Sequence, residues 1–262
     1  MFSGVGPRRR RVLASVTYSA SMDARSCLPD ERNHAGPEHL DPEFVAGYDR
    51  KQGLVAEEAA EQDLEILCSH GVDSRSTVID LGAGTGRFVF KAAEVCARVI
   101  AVDVSPAMIE VLRARVHEHG CENVEVVQAG WLSYQHEGAP ADALHSRNAL
   151  HQLPDFWKSI ALHRAAQVLR PGGVLRLRDL IYDFSPEDAE AALERWFDGA
   201  AKDPACGYTR EDLAEHVRTE YSTFSWLLAP MLEHAGFEIL DASNAPTYGA
   251  YTCLRKERRL PS

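Results

Sequence analysis

The chain has little of what would mark a secreted, membrane-spanning or nucleic-acid-binding protein. Its six cysteines, Cys27, Cys68, Cys96, Cys121, Cys206 and Cys253, form no CxxC pair. At 262 residues the chain can build a core without disulfide staples, so free thiols in a reducing, cytoplasmic compartment are the expectation. Positive charge is scarce: 28 Lys and Arg stand against 39 Asp and Glu, for a formal charge of −11. That balance argues against a nucleic-acid backbone or an anionic membrane as partner. No apolar run approaches the ~18 to 20 residues that a membrane helix needs. Internal repeats and low-complexity arrays are also missing.

What is present is concentrated in Val78-Ile-Asp-Leu-Gly-Ala-Gly-Thr-Gly-Arg87, where a short apolar run ends in three alternating glycines before a helical stretch. This reads as strand, tight turn and helix N-terminus. Gly82, Gly84 and Gly86 bring no Cβ atoms, so a ligand can lie against the backbone and meet the free N–H groups of the helix. A second apolar run, Val99 to Asp103, ends in an acid suited to hold both hydroxyls of a ribose. A nicotinamide site would want an apolar residue at Asp80 and the spacing G-x-G-x-x-G, and neither is found.

On these residues the chain resembles the class I S-adenosylmethionine-dependent methyltransferases. The first motif is Val78 to Gly86 and the second ends at Ala101-Val-Asp103. Ala141-Asp-Ala-Leu-His-Ser-Arg-Asn148 looks like the family's fourth strand, and Leu169-Arg-Pro-Gly-Gly-Val-Leu175 like the turn into its fifth. The resemblance implies an α/β, Rossmann-like three-layer sandwich, with a seven-stranded, mostly parallel sheet whose last strand pair is antiparallel. It implies S-adenosyl-L-methionine as cofactor. Asp80, Gly82, Ala83, Gly84 and Gly86 would lie near the methionine end, Asp103 and Val104 on the ribose, Met108 beneath the adenine, and Gly130 with Trp131 beside it. Many relatives carry an acid for the adenine amine just after the third strand. Here that stretch is Gln128-Ala-Gly-Trp131, and Trp131 either stacks on the adenine or covers the end of the sheet.

Residues 1–40 read as a disordered extension and 41–262 as the methyltransferase domain. The extension holds the basic cluster Arg8 to Arg11, and Met22 is an alternative start. From Asp41 an aromatic and charged stretch with Tyr48 and Lys51 leads into an amphipathic helix with Leu64, Leu67 and Cys68 on its apolar side. Tyr48 and Lys51 could reach the site, packing being the simpler role. Helices are expected over Arg87 to Val95, from Ser105-Pro106 to Gly120, and from about Phe156 to Leu169 with Trp157, Ile160, Ala161, Ala165 and Val168 on the apolar side.

Ligands of open α/β sheets sit beyond the carboxyl ends of the strands, which places Arg147, Asn148 and His151 where cofactor and acceptor meet. His151 is the first candidate for a general base, against a packed histidine at a helix entrance. Asp179 and Tyr182 come next, then Glu220 and Tyr221. Residues 181–235 are expected to form a helical lid over the acceptor, with capping boxes at Ser185 to Asp188 and Thr209 to Asp212 and a helix from Tyr221 to Gly236. No NPPY-type motif follows the fourth strand. A small-molecule acceptor is therefore expected, with no nucleic acid, membrane or metal, and a homodimer as one arrangement. The rivals are a macromolecular methyltransferase and a protein that binds the cofactor without turnover.

Overall fold

The computed structural model describes residues 27–257. The Arg8 to Arg11 cluster and Met22 lie outside them. The central strands form because their residues are apolar on both faces, as a sheet covered on both sides requires. In β1 (Thr77–Leu81) Ile79 joins Ile100, Leu144 and Leu175 in one core, while Val78 joins Val99, Ala143 and Val174 in a second core on the opposite face. These partners come from β2 (Arg98–Asp103), β4 (Ala141–Arg147) and β5 (Leu169–Asp179). With β3 (Val124–Gln128), β8 (Phe237–Ala245) and β9 (Tyr248–Arg255) they make a seven-stranded sheet of order β3-β2-β1-β4-β5-β9-β8. β9 runs antiparallel to both neighbours. The strand order reverses between β1 and β4, so the ligand crevice of this fold lies outside their carboxyl ends.

On one face pack α1 (Pro42–Ser69), α2 (Arg87–Val95) and α3 (Pro106–Glu118); on the other pack α4 (Asp155–Val168) and α7 (Ser225–Ala235). α1 starts where the Asp41 side chain accepts the Glu43 N–H, and it breaks at Gly53 (φ 67, ψ −170). Among the described residues no helix is long and apolar enough to cross a membrane. Between β5 and α7 lie the two-residue strand β6 (Ile181–Tyr182), α5 (Ala189–Asp198), α6 (Arg210–Thr219) and β7 (Thr223–Phe224), which pairs with β6.

Several expectations give way to packing. Residues 27–40 are not irregular throughout: they hold 3-10 turns at Glu31–His34 and Pro37–Leu40, fixed by the buried Glu31 and by Ser105 donating to the His39 carbonyl. The last long helix begins at Ser225 instead of Tyr221, because Thr223 and Phe224 are taken by β7. Thr209 and Asp212 form their capping box, but the Ser185 side chain caps nothing, and a 3-10 turn at Pro186–Asp188 leads into α5. On α4 the buried face is Lys158, Ala161, Leu162, Ala165 and Ala166, leaving Ile160 at the surface. Lys158 can be buried because its amine bonds the Asp155 carboxylate and the Tyr221 carbonyl. Cys68 is exposed, while Leu67 is buried.

Candidate active site

The glycine turn after β1 is shaped by Gly82, which has φ 81 and no room for a side chain: a Cβ there would lie 2.3 Å from the Ala149 Cβ. Gly82 and Ala83 donate to the Val102 carbonyl. Gly84 donates to Asp103 Oδ2 at 2.8 Å, and the Ser105 N–H donates to Oδ1 at 2.8 Å. Burial raises the Asp103 pKa against these two bonds, so its free lone pairs face the crevice at a cost in charge.

Two adjoining pockets of about 510 and 440 Å³ meet at Gly82. The first is walled by Tyr48, Asp80, Ala83, Gly84, His145, Arg147 and Asn148. The second is walled by Glu31, His34, Asp103, Val104, Gly130, Trp131 and Gln152. Ten of the twelve residues expected to bind the cofactor thus line one crevice: Asp80, Gly82, Ala83, Gly84, Asp103, Val104, Gly130, Trp131, Arg147 and Asn148. The other two, Gly86 and Met108, do not. Gly86 packs against Leu112 and Phe90, and Met108 is buried with Val45 and Ala107 below α1. Trp131 is part of the core cluster and lines the second pocket, with Nε1 buried and unpartnered.

Asp80 and His145, which line the first pocket, belong to a row of polar residues at one register across the sheet that continues through Arg176 and Thr252. His145 Nδ1 donates to Asp80 Oδ1 at 2.7 Å and its ring stacks on Phe88. Above the row, Asp63 of α1 receives Arg176 Nε at 2.7 Å and pairs with Arg178 at 3.0 Å and with His145 Nε2 at 3.4 Å. Burial alone would lower the His145 pKa, but the Asp80 and Asp63 carboxylates carry it up to about 9. Burial opposes the charge on Asp63 too, yet His145, Arg176 and Arg178 hold it well below the usual carboxylate range. Sequence reading passed over this network because Asp63, Arg176 and Thr252 each look like an ordinary residue of an amphipathic segment.

The N-terminal elements close the crevice. Tyr48 stands over Gly84, and burial pushes its hydroxyl up to about 12. Lys51 bonds Asp212 at 3.1 Å, and Gln52 donates to the Tyr208 hydroxyl at 2.7 Å. These two contacts tie α1 to the α5–α6 segment.

Beyond Asn148, His151 follows β4 in a 3-10 turn and its Nδ1 donates to Asp179 at the end of β5. Asp179 also accepts the N–H groups of Leu150, His151 and Leu180. It is thereby saturated as an anchor for His151 and does not face a substrate. His151 Nε2 lies 2.8 Å from Glu220 Oε2, and that oxygen lies 2.5 Å from His216 Nδ1. Against the pull of burial, Asp179 and Glu220 raise the His151 pKa to about 9. As arranged, both ring nitrogens of His151 face carboxylates, Nδ1 that of Asp179 and Nε2 that of Glu220. Tyr182 stands in an aromatic cluster with Phe184 and Phe224, hydrogen-bonded to Ser222 and near Glu220, and burial pushes it up to about 12. His216, which sequence reading missed, sits one turn before Glu220 on α6.

A family model described as "Methyltransferase domain" matches residues 78–173. The chain is 26% identical over 207 residues to an uncharacterized methyltransferase of Geobacillus kaustophilus, covering 79% of this chain and 83% of that protein. It is 29% identical over 190 residues to an arsenite methyltransferase of Halobacterium salinarum, covering 69% and 45%. Among solved structures, magnesium protoporphyrin IX methyltransferase from Synechocystis PCC 6803, which has bound SAH, shares the fold with a TM-score of 0.61 at 14% identity, covering 87% of this chain and 100% of that one. Residues 78–173 are a methyltransferase domain, the chain has the fold of the S-adenosylmethionine-dependent methyltransferases, and S-adenosylmethionine is its cofactor.

Proposed function

We propose that the chain methylates a small-molecule acceptor held between the sheet edge and the α5–α6 lid. S-adenosylmethionine supplies a methyl group on a positively charged sulfur, open to in-line displacement. The crevice suits that cofactor in shape and in donors: the cradle at Gly82 would be filled by any Cβ, and Trp131 Nε1 is a buried donor with no partner on the pocket wall. Asp103 would hold the ribose hydroxyls. Glu31 and Trp131 would face the adenine, and Asp80, Gly84, Arg147 and Asn148 the methionine end. What the chain does for the reaction is mostly positioning, an effect worth up to ~7 to 11 kcal/mol for a well-oriented pair.

The observation that carries the acceptor reading is the convergence of His151, His216 and Glu220 beneath the lid, next to Gln152 of the cofactor crevice. A buried polar cluster beside the cofactor crevice suits a small molecule better than a polymer, and the net charge of −11 disfavours RNA. The arsenite methyltransferase relative is named for an acceptor of this size. The test is incubation with S-adenosylmethionine and a panel of small hydroxyl, thiol and amine compounds, with S-adenosylhomocysteine release and methylated product read by mass spectrometry. Transfer to a small acceptor supports the proposal. Transfer confined to RNA or protein substrates would overturn it.

A further inference from the structure

The geometry points to a mononuclear metal site made by His151, His216 and Glu220, taking a divalent first-row transition cation such as Zn²⁺ or Fe²⁺ and presenting its open positions to an oxygen of the acceptor. The inference rests on the reading of this cluster as the acceptor side, and it names how an acceptor would be held there.

Donor type and placement agree. The three side chains offer two imidazole nitrogens and a carboxylate oxygen, all within 4.8 Å of one another. Bonds of ~2.0 to 2.2 Å to a shared ion need donors no more than ~4.4 Å apart, so small side-chain rotations suffice. Glu220 Oε2 is already 2.8 Å from His151 Nε2 and 2.5 Å from His216 Nδ1. Two histidines and one carboxylate leave coordination positions open, as catalytic sites for such ions do.

The surroundings agree as well. Metal-binding histidines hand their second nitrogen to a carboxylate, carbonyl or hydroxyl that fixes the ring. His151 Nδ1 donates to the anchored Asp179, and His216 Nε2 pairs with Ser222 Oγ at 2.7 Å. Asp179 and Glu220 together bring two negative charges into a region where both histidines are buried. Gln152 Nε2, 3.1 Å from His151 Nε2, also lines the cofactor crevice, so the cluster adjoins the site of the methyl donor.

The experiment uses the full chain stripped with EDTA and titrated with Co²⁺, a spectroscopic probe, beside calorimetry with S-adenosylhomocysteine. One Co²⁺ per chain with visible ligand-field bands, displaced by Zn²⁺, is expected. Affinity should fall at least ~10-fold in Asp179→Asn, which weakens the support of His151 without removing a ligand, and further in Glu220→Gln and His216→Ala. Glu220→Gln is nearly isosteric, so it serves if His216→Ala does not fold. No stoichiometric Co²⁺ binding by protein that binds S-adenosylhomocysteine would overturn the metal site while leaving the cofactor crevice standing. A sulfur-to-cobalt charge-transfer band, or affinity unchanged in all three variants, would place the ion elsewhere and overturn it too. Methyl transfer only to macromolecules would instead remove the acceptor reading beneath it.

Discussion

Glu31 occupies the space that a side chain on Gly130 would fill: a Cβ at Gly130 would come within 2.4 Å of Glu31 Oε1. Its carboxylate accepts the Leu132 and Ser133 N–H groups at 2.9 Å each and the Ser133 hydroxyl at 2.7 Å. The loop after β3 lacks an acid of its own, and this structure brings one to the same loop from about a hundred residues earlier in the chain. The glycine and the glutamate therefore form a matched pair.

The pair predicts unequal responses to substitution. Glu31→Ala strands two backbone donors that the carboxylate now satisfies and should destabilise the protein by about 1–3 kcal/mol. Glu31→Gln keeps one acceptor and should cost less stability, yet weaken S-adenosylhomocysteine binding by about tenfold, since a charged hydrogen bond contributes ~1.5–3 kcal/mol. Gly130→Asp should be worse tolerated alone than together with Glu31→Ala, where the new acid has room. Thermal unfolding and calorimetry on the four variants measure both effects. Additive losses in the double variant would show that the two residues do not share the space.

At Gly82 the prediction concerns backbone and volume together. Gly82→Ala forces a side chain onto φ 81 and drives its Cβ to 2.3 Å from that of Ala149. Strain and overpacking of about 1–3 kcal/mol each should follow, with cofactor affinity lost as the two walls separate. Adding Ala149→Gly should recover the packing part of the stability and leave the strain. Full recovery in chemical denaturation would mean that φ at this position costs nothing.

Lys158 links α4 to the backbone beside the acceptor cluster, bonding the Tyr221 carbonyl while the Tyr221 N–H donates to the His151 carbonyl. Burial lowers its pKa against the pull of Asp155. Lys158→Met keeps the apolar stem and removes the amine, leaving a buried carbonyl without its donor. A stability loss of about 1–3 kcal/mol is expected, with looser placement of Glu220 and Tyr221. Hydrogen exchange at Tyr221 and its neighbours is the readout, and unchanged protection there would separate Lys158 from the acceptor side.

Local signals were legible in the sequence wherever one segment sufficed. Apolar runs placed β1 to β3, the Ser105-Pro106 cap placed the start of α3, and the alternating glycines located the crevice. Contacts that join distant segments were not legible. Lys158 reads as the polar face of α4 until the Tyr221 carbonyl is seen above it, and the face with Ile160 then turns outward. Glu31 belongs to a stretch without periodicity, and only the loop after β3 explains why it is ordered. His216 needed Glu220 and His151, which lie on different elements, before it meant anything.

The buried row beneath the first pocket makes stability depend on pH in a known direction. His145 is held between Asp80 of β1 and Asp63 of α1, with Arg176 and Arg178 of β5 on the far side of Asp63 and Phe88 against its ring. Its pKa is raised from 6.5 to about 9 on folding, so the folded state binds this proton more tightly than the unfolded chain. The stabilisation is fully present below the unfolded value near ~6.5 and is lost as pH rises through about 9. Each unit of such a shift corresponds to about 1.4 kcal/mol, so unfolding free energy should fall between pH 6.5 and 9.5. Thiols and phenols titrate near the upper end, and the His145→Gln variant separates them: it loses stability at pH 6.5 and shows a flatter slope above it. Equal slopes in the two proteins would mean that His145 is neutral in the fold, and that Asp80 and Asp63 are balanced by the two arginines alone.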